Sequence, residues 1–223
     1  MNTAPVHPDP SSRIDPHRIT AAVPESNGLA DERANAVCTL ISARQNVSPK
    51  RLVEPGPTAV ALQRLLLAAA AAPDHGELQP WRFVIVPVDK RHLLANAFAL
   101  ALVDRDPVAT LEQIEAAREK AHRAPLLMLA VVRLASDPTP AIPDVERIVS
   151  LGCAVQNMLL AAEAMGFGSG LTSGQAMTSE RLRGLFGLAV DERAVCFVNV
   201  GTVSRRKPPR QRPSAEQVAT FLL

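Results

Sequence analysis

The stretch from Ala68 to Val86, AAAAAPDHGELQPWRFVIV, joins a helix to a strand through a short polar loop. Its alanines continue a helical segment with a predicted N-cap at Thr58, and Pro73 ends that helix because proline lacks the N–H that a helix interior requires. The segment Arg82–Val88 is rich in β-branched and aromatic residues, which predicts a strand. The loop between helix and strand contains His75, a side chain type that titrates near neutral pH.

Helices and strands alternate through the rest of the chain. The apolar periodicity predicts helices at residues 31–45, 58–72, 90–103, 107–122, 144–165 and 179–186, and strands at 82–88, 126–134 and 194–203. Asp31 is the predicted N-cap of the first helix, and GFGSGLTSG (residues 166–174) is expected to be a glycine-rich loop. This alternation predicts an α/β or α+β sandwich in which a small sheet is covered by helices on both faces.

The composition is that of a globular protein. The 223 residues are 47% hydrophobic and carry a formal net charge of +2, which is too small to indicate nucleic-acid binding through bulk electrostatics. Residues 1–30 are rich in proline, so we expect a disordered or extended tail before a domain at residues 31–223 with a C-terminal extension. The sequence shows neither a secretory signal nor an apolar run of membrane-spanning length, and we expect a cytoplasmic protein.

The sequence offers few groups for acid–base or metal chemistry. Cys38, Cys153 and Cys196 lie in apolar stretches, which predicts buried, unreactive thiols rather than disulfides or a zinc site. No pair of carboxylates, Ser-His-Asp arrangement or metal-ligand spacing stands out in the sequence. We therefore expect no catalytic side chain of the acid–base type and no metal centre.

Three stretches together resemble the FMN-dependent nitroreductase family: RQNVSPKRLVEPGPT (residues 44–58), APDHGELQPWRF (residues 72–83), and GFGSGLTSG with the later VNVGT (residues 166–174 and 198–202). The resemblance covers the chain from Ala36 to about Leu223. The Asp-His pair after the proline is similar to the compact, single-domain branch of small bacterial nitroreductases. The resemblance implies a nitroreductase-like α+β three-layer sandwich with a small, mostly antiparallel sheet.

The same resemblance implies an activity and an assembly. It implies a homodimer with one FMN at each of two subunit interfaces. Electrons would pass from NAD(P)H to a nitroaromatic, a quinone or a similar acceptor by a ping-pong route through the flavin. Two alternatives stay open: a flavin-binding or redox-silent interaction protein on the same scaffold, and a flavin-dependent dehydrogenase of a small metabolite.

Several polar residues match family positions that bind FMN. Arg44, Gln45 and Asn46 match the phosphate-binding triplet, in which a guanidinium can bond a phosphate bidentately. Arg51 matches a cation near the N1–O2 edge of the flavin ring. His75 matches a residue that contacts the FMN bound mainly by the other subunit. Without the resemblance, a solvated surface side chain is the favoured interpretation of Arg44 and His75, and for Arg51 the two interpretations are balanced.

Further matches lie later in the chain. Leu171, Thr172 and Ser173 match the loop that lies against the isoalloxazine ring, where backbone N–H groups would bond N5 or O4. Arg206 matches a basic residue on the FMN phosphate, with its two basic neighbours as alternatives. The chain departs from the commoner family residues at Gln45, Asn46, Ala71 and Leu171.

Overall fold

The structure is a computed structural model that describes residues 28–136, 141–208 and 210–222. The chain divides into two compact units, one formed by residues 39–209 and a smaller one by residues 1–38 and 210–223. In the smaller unit the described secondary structure is most of helix α1 (Gly28–Ala43) and the short helix α7 (Ala215–Val218). The larger unit contains the sheet and the candidate site.

The larger unit is built on an antiparallel sheet. Its described strands are β1 (Leu52–Val53), β2 (Trp81–Ile85), β3 (Leu126–Arg133), β4 (Gly168–Thr172) and β5 (Glu192–Val203). The long strand β5 pairs with β1, β3 and β4, and β3 also pairs with β2. Because β5 contacts three other strands, residues near its end lie beside segments that are far away in sequence.

Helices cover both faces of this sheet. On one face, α2 (Ala59–Ala70) and α5 (Asp144–Ala164) bury residues such as Leu65 and Met158 against alternate residues of β3 and β5. On the other face, α3 (Arg91–Arg105) and α6 (Glu180–Leu185) bury Leu94 and Leu182 against the intervening strand residues. Helix α4 (Leu111–Glu119) packs beside α3. The alternation of side chains along each strand therefore produces two cores, and the α+β three-layer sandwich is confirmed.

Two predictions about the helices and loops were wrong. Residues 166–174 do not form a loop throughout, because Gly168–Thr172 forms strand β4 along β5. Sequence propensity misses this strand because its first three residues are glycine or serine. The pairing with β5 determines its conformation instead. Helix α1 begins at Gly28, so Asp31 lies inside its first turn and is not its N-cap.

The predicted tail of residues 1–30 lies outside the described residues except for Gly28–Ala30, which are helical. The predicted N-cap of α2 is confirmed, since the Thr58 hydroxyl accepts a hydrogen bond from Ala61 N–H at 3.2 Å.

The cysteines differ in their surroundings. Cys38 is exposed, contrary to the prediction. It lies on α1, in which none of the described residues is buried. Cys153 is half-buried, and Cys196 is buried in the core between the sheet and α5. Burial raises the pKa of Cys196 to about 11, so this thiol stays protonated at neutral pH.

Helix α5 is long and apolar enough to cross a membrane by length and composition, and it is the one helix of the described residues that meets this description. Seven of its residues are buried, and most of them belong to the core against the sheet. This packing is the pattern of a core helix.

An ion pair between the half-exposed Arg82 and the buried Glu192 joins the edge of the sheet to the start of β5. Glu192 is 4% exposed, and its carboxylate accepts hydrogen bonds from Arg82 Nε at 2.7 Å and Nη2 at 2.9 Å. The backbone N–H of Ala189 donates a third bond at 3.1 Å. The Arg82 hydrogen bonds are the main reason that the pKa of Glu192 falls to about 2, below its usual value of 4.5.

The lowered pKa predicts a defined loss of stability in acid. The Glu192 contribution is fully present above pH 4.5 and is lost as pH falls toward 2, because the unfolded chain then takes up a proton that the folded chain resists. We expect Glu192→Gln to be less stable than the parent at pH 7, and the difference in unfolding free energy to shrink by about 2 kcal/mol at pH 3. Urea unfolding at both pH values measures this change. A difference that is the same at pH 7 and pH 3 would contradict the role of the ion pair.

Candidate functional site

The segment Asn46–Val47 runs along the outer edge of β4, the edge that does not pair with β5. Val47 N–H donates to the Ser169 carbonyl at 2.8 Å, and Leu171 N–H donates to Asn46 Oδ1 at 2.9 Å. The two backbones approach so closely that a Cβ on Gly170 would lie 2.1 Å from the Val47 carbonyl oxygen. Only glycine fits at this position, because the obstructing atom belongs to the backbone.

The segment that follows β5 lies beside the same part of the chain. Gln45 Nε2 donates to the Lys207 carbonyl at 3.2 Å, and Arg51 Nη1 donates to the Arg205 carbonyl at 3.0 Å. Ser204 N–H donates to the Arg51 carbonyl at 2.9 Å. Residues 44–51, strand β4 and residues 204–207 therefore meet, although they are far apart in the sequence.

This meeting point is strongly basic. Arg44 is half-buried, whereas Arg206 is exposed and its Nη1 lies 3.4 Å from Glu163 Oε1, a carboxylate with little exposure. Six cationic residues lie in the two loop segments: Arg44, Lys50, Arg51, Arg205, Arg206 and Lys207. An anionic group such as a phosphate would be attracted to this cluster.

A cleft of about 610 Å³ opens next to the end of β4. Its volume lies within the range of small-molecule sites. Side chains of α3 and α4, the segments 120–123 and 172–177, and the strands β3 and β5 line it. Of the nine residues predicted from the sequence, Thr172 and Ser173 line this cleft. Ser48 and Pro49, which belong to the basic segment 44–51, also line it and so connect the cleft to that segment.

The edge of β4 determines which backbone groups face a ligand. Leu171 N–H is already bonded to Asn46, so it is not a free donor for a flavin ring. Ser173 follows Thr172, the last residue of β4 that pairs with β5, and it lines the cleft. A Cβ on Gly174 would meet no atom within 4 Å, so this stretch borders open space. A planar ring in the cleft would therefore meet the backbone of residues 172–174.

Asn199 is a site residue that the sequence reasoning did not identify. It is 1% exposed, and its Nδ2 donates to the Gly170 carbonyl at 3.2 Å and to Thr172 Oγ1 at 3.0 Å. It also lines the floor of the cleft. The sequence does contain a signal for this residue, because an asparagine within the apolar strand FVNV has a buried amide that needs hydrogen-bond partners. Such buried polar residues usually have a structural or functional role.

His75 lies elsewhere in the larger unit. Its Nδ1 is 2.6 Å from Glu146 Oε2, near the beginning of α5, and the described residues that line the cleft do not include it. The sequence assigned it to the flavin of the other subunit, and a single chain leaves that prediction untested.

The cleft contains cations that the sequence reasoning missed. Arg105, Lys120 and Arg123 line its wall, and none of the described lining residues is Asp, Glu or His.

Comparisons with known proteins agree with this architecture. The sequence profile of the Nitroreductase family matches residues 48–202. A putative NAD(P)H nitroreductase of Haemophilus influenzae is 36% identical over 165 residues, which span 74% of this chain and 86% of that protein. The putative NAD(P)H nitroreductase YdjA of Escherichia coli is 34% identical over 158 residues, which span 70% of this chain and 82% of that protein.

Solved structures show the same fold. A nitroreductase-like family protein from Bacillus cereus superposes with a TM-score of 0.72 at 18% identity, over 83% of this chain and 95% of that one. A mutant of NfnB from Sphigopyxis, described as an FMN and NADPH-dependent nitroreductase, gives a TM-score of 0.65 at 17% identity, over 82% of this chain and 97% of that one. This chain therefore belongs to the nitroreductase family of oxidoreductases.

Proposed function

We propose that this chain is an FMN-dependent oxidoreductase of the cytoplasm that passes electrons from NAD(P)H to a nitroaromatic, a quinone or a similar acceptor. The observation that carries the proposal is the junction of a basic cluster with a cleft at the end of β4. The names of the relatives support it, since two of them are described as putative NAD(P)H nitroreductases.

The residues present fit FMN in both of its parts. Arg44 and Arg206 would bind the phosphate dianion, because both belong to the basic segments that meet beside β4. The ring would lie against Thr172 and Ser173, which line the cleft beside the open space at Gly174. Arg51 would add positive charge near the ring, which favours the anionic reduced state.

The chemistry of the reaction requires little of the side chains. FMN supplies two-electron redox chemistry, so that one NAD(P)H and one proton convert a nitro group to a nitroso group and water, or a quinone to a hydroquinone. The protein orients the reactants, excludes part of the solvent and binds charge. Donor and acceptor would react in turn in one cleft, which is a ping-pong sequence.

We also propose that the protein is a homodimer. Val145, Ile148 and Val149 of α5 are 64%, 49% and 59% exposed, and their spacing places them on one side of the helix. Glu146, the partner of His75, belongs to the same helical turn. A second chain on this apolar surface would bring His75 to the subunit interface, in agreement with its predicted contact to the partner's flavin.

Purified protein is expected to be yellow from bound FMN. Anaerobic NADH or NADPH should bleach its visible absorption, and a nitroarene should restore it. Protein that neither contains nor binds FMN would contradict the proposed cofactor. A yellow protein that neither nucleotide bleaches would instead support a redox-silent interaction protein, and turnover of a small metabolite without NAD(P)H would support a dehydrogenase.

The phosphate-binding role is tested by comparing FMN with riboflavin, which lacks the phosphate. We expect Arg44→Gln and Arg206→Gln each to raise the dissociation constant of FMN about tenfold, the effect of one charge-assisted hydrogen bond at a partly exposed site. The affinity for riboflavin should stay the same. Arg64→Gln, which removes an exposed charge from α2, is the matched control. Fluorescence titration measures both ligands, and an equal loss for FMN and riboflavin would contradict a phosphate contact.

The dimer surface is tested by charge. Ile148→Glu/Val149→Glu places two carboxylates on the apolar side of α5, and we expect a monomer with reduced FMN content because desolvating these charges opposes association. Light scattering after gel filtration measures the mass. The control Val108→Glu/Val190→Glu changes two residues that are 87% and 84% exposed, and it should remain a dimer. A parent protein that is monomeric with FMN fully bound would contradict the shared site.

A further inference from the structure

The cationic wall of the cleft has no role in the proposed binding of FMN. Arg105, Lys120 and Arg123 line the cleft, and in the described ranges no carboxylate lies within 4.0 Å of their charged nitrogens. Other arginines of the same region are paired: Arg118 lies 3.2 Å from Glu115, and Arg181 lies 2.7 Å from Asp104. The cleft cations are therefore available for an external anion.

The floor of the cleft is aromatic and apolar. Phe98 and Phe197 pack edge to face with their ring centroids 5.7 Å apart, and both line the cleft together with Leu102 and Met177. Such a floor favours a planar apolar ring. The combination of this floor with unpaired positive charge fits a ligand that is aromatic at one end and anionic at the other.

Arg91 holds the cationic segment in place. The Arg91 side chain is 3% exposed, and its guanidinium donates hydrogen bonds of 2.8 to 3.3 Å to five backbone carbonyls, those of Val86, Ala121, Arg123, Ala124 and Pro125. Four of these carbonyls belong to residues 121–125, which directly follow Lys120. The backbone beside Lys120 and Arg123 is therefore fixed, so that only their side chains lose freedom when an anion binds.

We infer that the cleft selects an aromatic acid, an electron acceptor with a carboxylate on its ring, and that Lys120 and Arg123 bind this carboxylate. The inference rests on the proposed function and specifies the class of acceptor. The ring would lie over Phe98, which packs on the buried Phe197, while the carboxylate meets the cations. The nicotinamide nucleotides also carry anionic groups, so the experiment must separate an acid on the acceptor from a phosphate on the donor.

The test compares 4-nitrobenzoate with the neutral 4-nitrobenzyl alcohol as acceptors for the FMN-loaded protein. We expect the parent to have the higher kcat/KM for 4-nitrobenzoate. In Lys120→Gln/Arg123→Gln the ratio of the two kcat/KM values should fall about tenfold, the size of one charge-assisted hydrogen bond. The matched control Arg64→Gln/Lys90→Gln removes the same charge from exposed residues outside the cleft and should keep the parent ratio.

A binding measurement gives a readout that does not need turnover. Benzoate cannot be reduced in this way, so calorimetric titration of the purified protein with benzoate and with benzyl alcohol measures affinity alone. We expect a preference for benzoate that the double variant loses. Salt screens ion pairs, so the ratio of kcat/KM for 4-nitrobenzoate to kcat/KM for 4-nitrobenzyl alcohol should fall in the parent protein as the salt concentration rises. This test uses only the parent protein, so it does not depend on the folding of the variant.

Other outcomes overturn the inference. Equal kcat/KM values for the two acceptors in the parent, with FMN bound and reduced normally, would refute the aromatic acid while leaving the proposed function intact. A double variant that has lost FMN but not riboflavin affinity would assign these cations to the cofactor phosphate. A double variant whose only change is a higher KM for NADPH relative to NADH would assign them to the donor. Protein without FMN would refute the proposed function, and the benzoate titration would still decide the anion site.

Discussion

The site depends on the contact between Asn46–Val47 and the outer edge of β4. Two hydrogen bonds and the absence of a side chain at Gly170 allow these backbones to lie side by side. This contact brings the basic segment to the end of the strand where the cleft opens. Without it, the cations and the cleft would belong to separate surfaces, and no single ligand could use both.

Gln45 and Asn46 acquire a physical explanation in this arrangement. The resemblance implies that they depart from the commoner residues of the family, and both form hydrogen bonds within the chain. Gln45 binds the carbonyl of Lys207, and Asn46 accepts from Leu171 N–H. Their hydrogen bonds hold β4 and the segment 204–207 beside residues 44–51. The two amides therefore stabilise the local structure, although they add no charge for a phosphate.

The sequence predicted the layers of the fold but not all of the strands in its sheet. Long helices such as α5 have strong periodicity, and the apolar strands β3 and β5 are long enough to identify. Strand β4 was missed because Gly168 and Gly170 have low strand propensity. Both are required by close contacts that only the fold creates, Gly168 with the Val203 side chain and Gly170 with the Val47 backbone. The cations Lys120 and Arg123 were missed for a similar reason, since nothing in the local sequence distinguishes them from solvated charges.

A crystal structure of the protein with FMN tests the central claim most directly, because it locates the phosphate and the ring in one experiment. The account predicts the phosphate beside Arg44 and Arg206 and the ring against Thr172 and Ser173. A phosphate bound instead by Lys120 and Arg123, or a ring that does not touch the end of β4, would contradict the account.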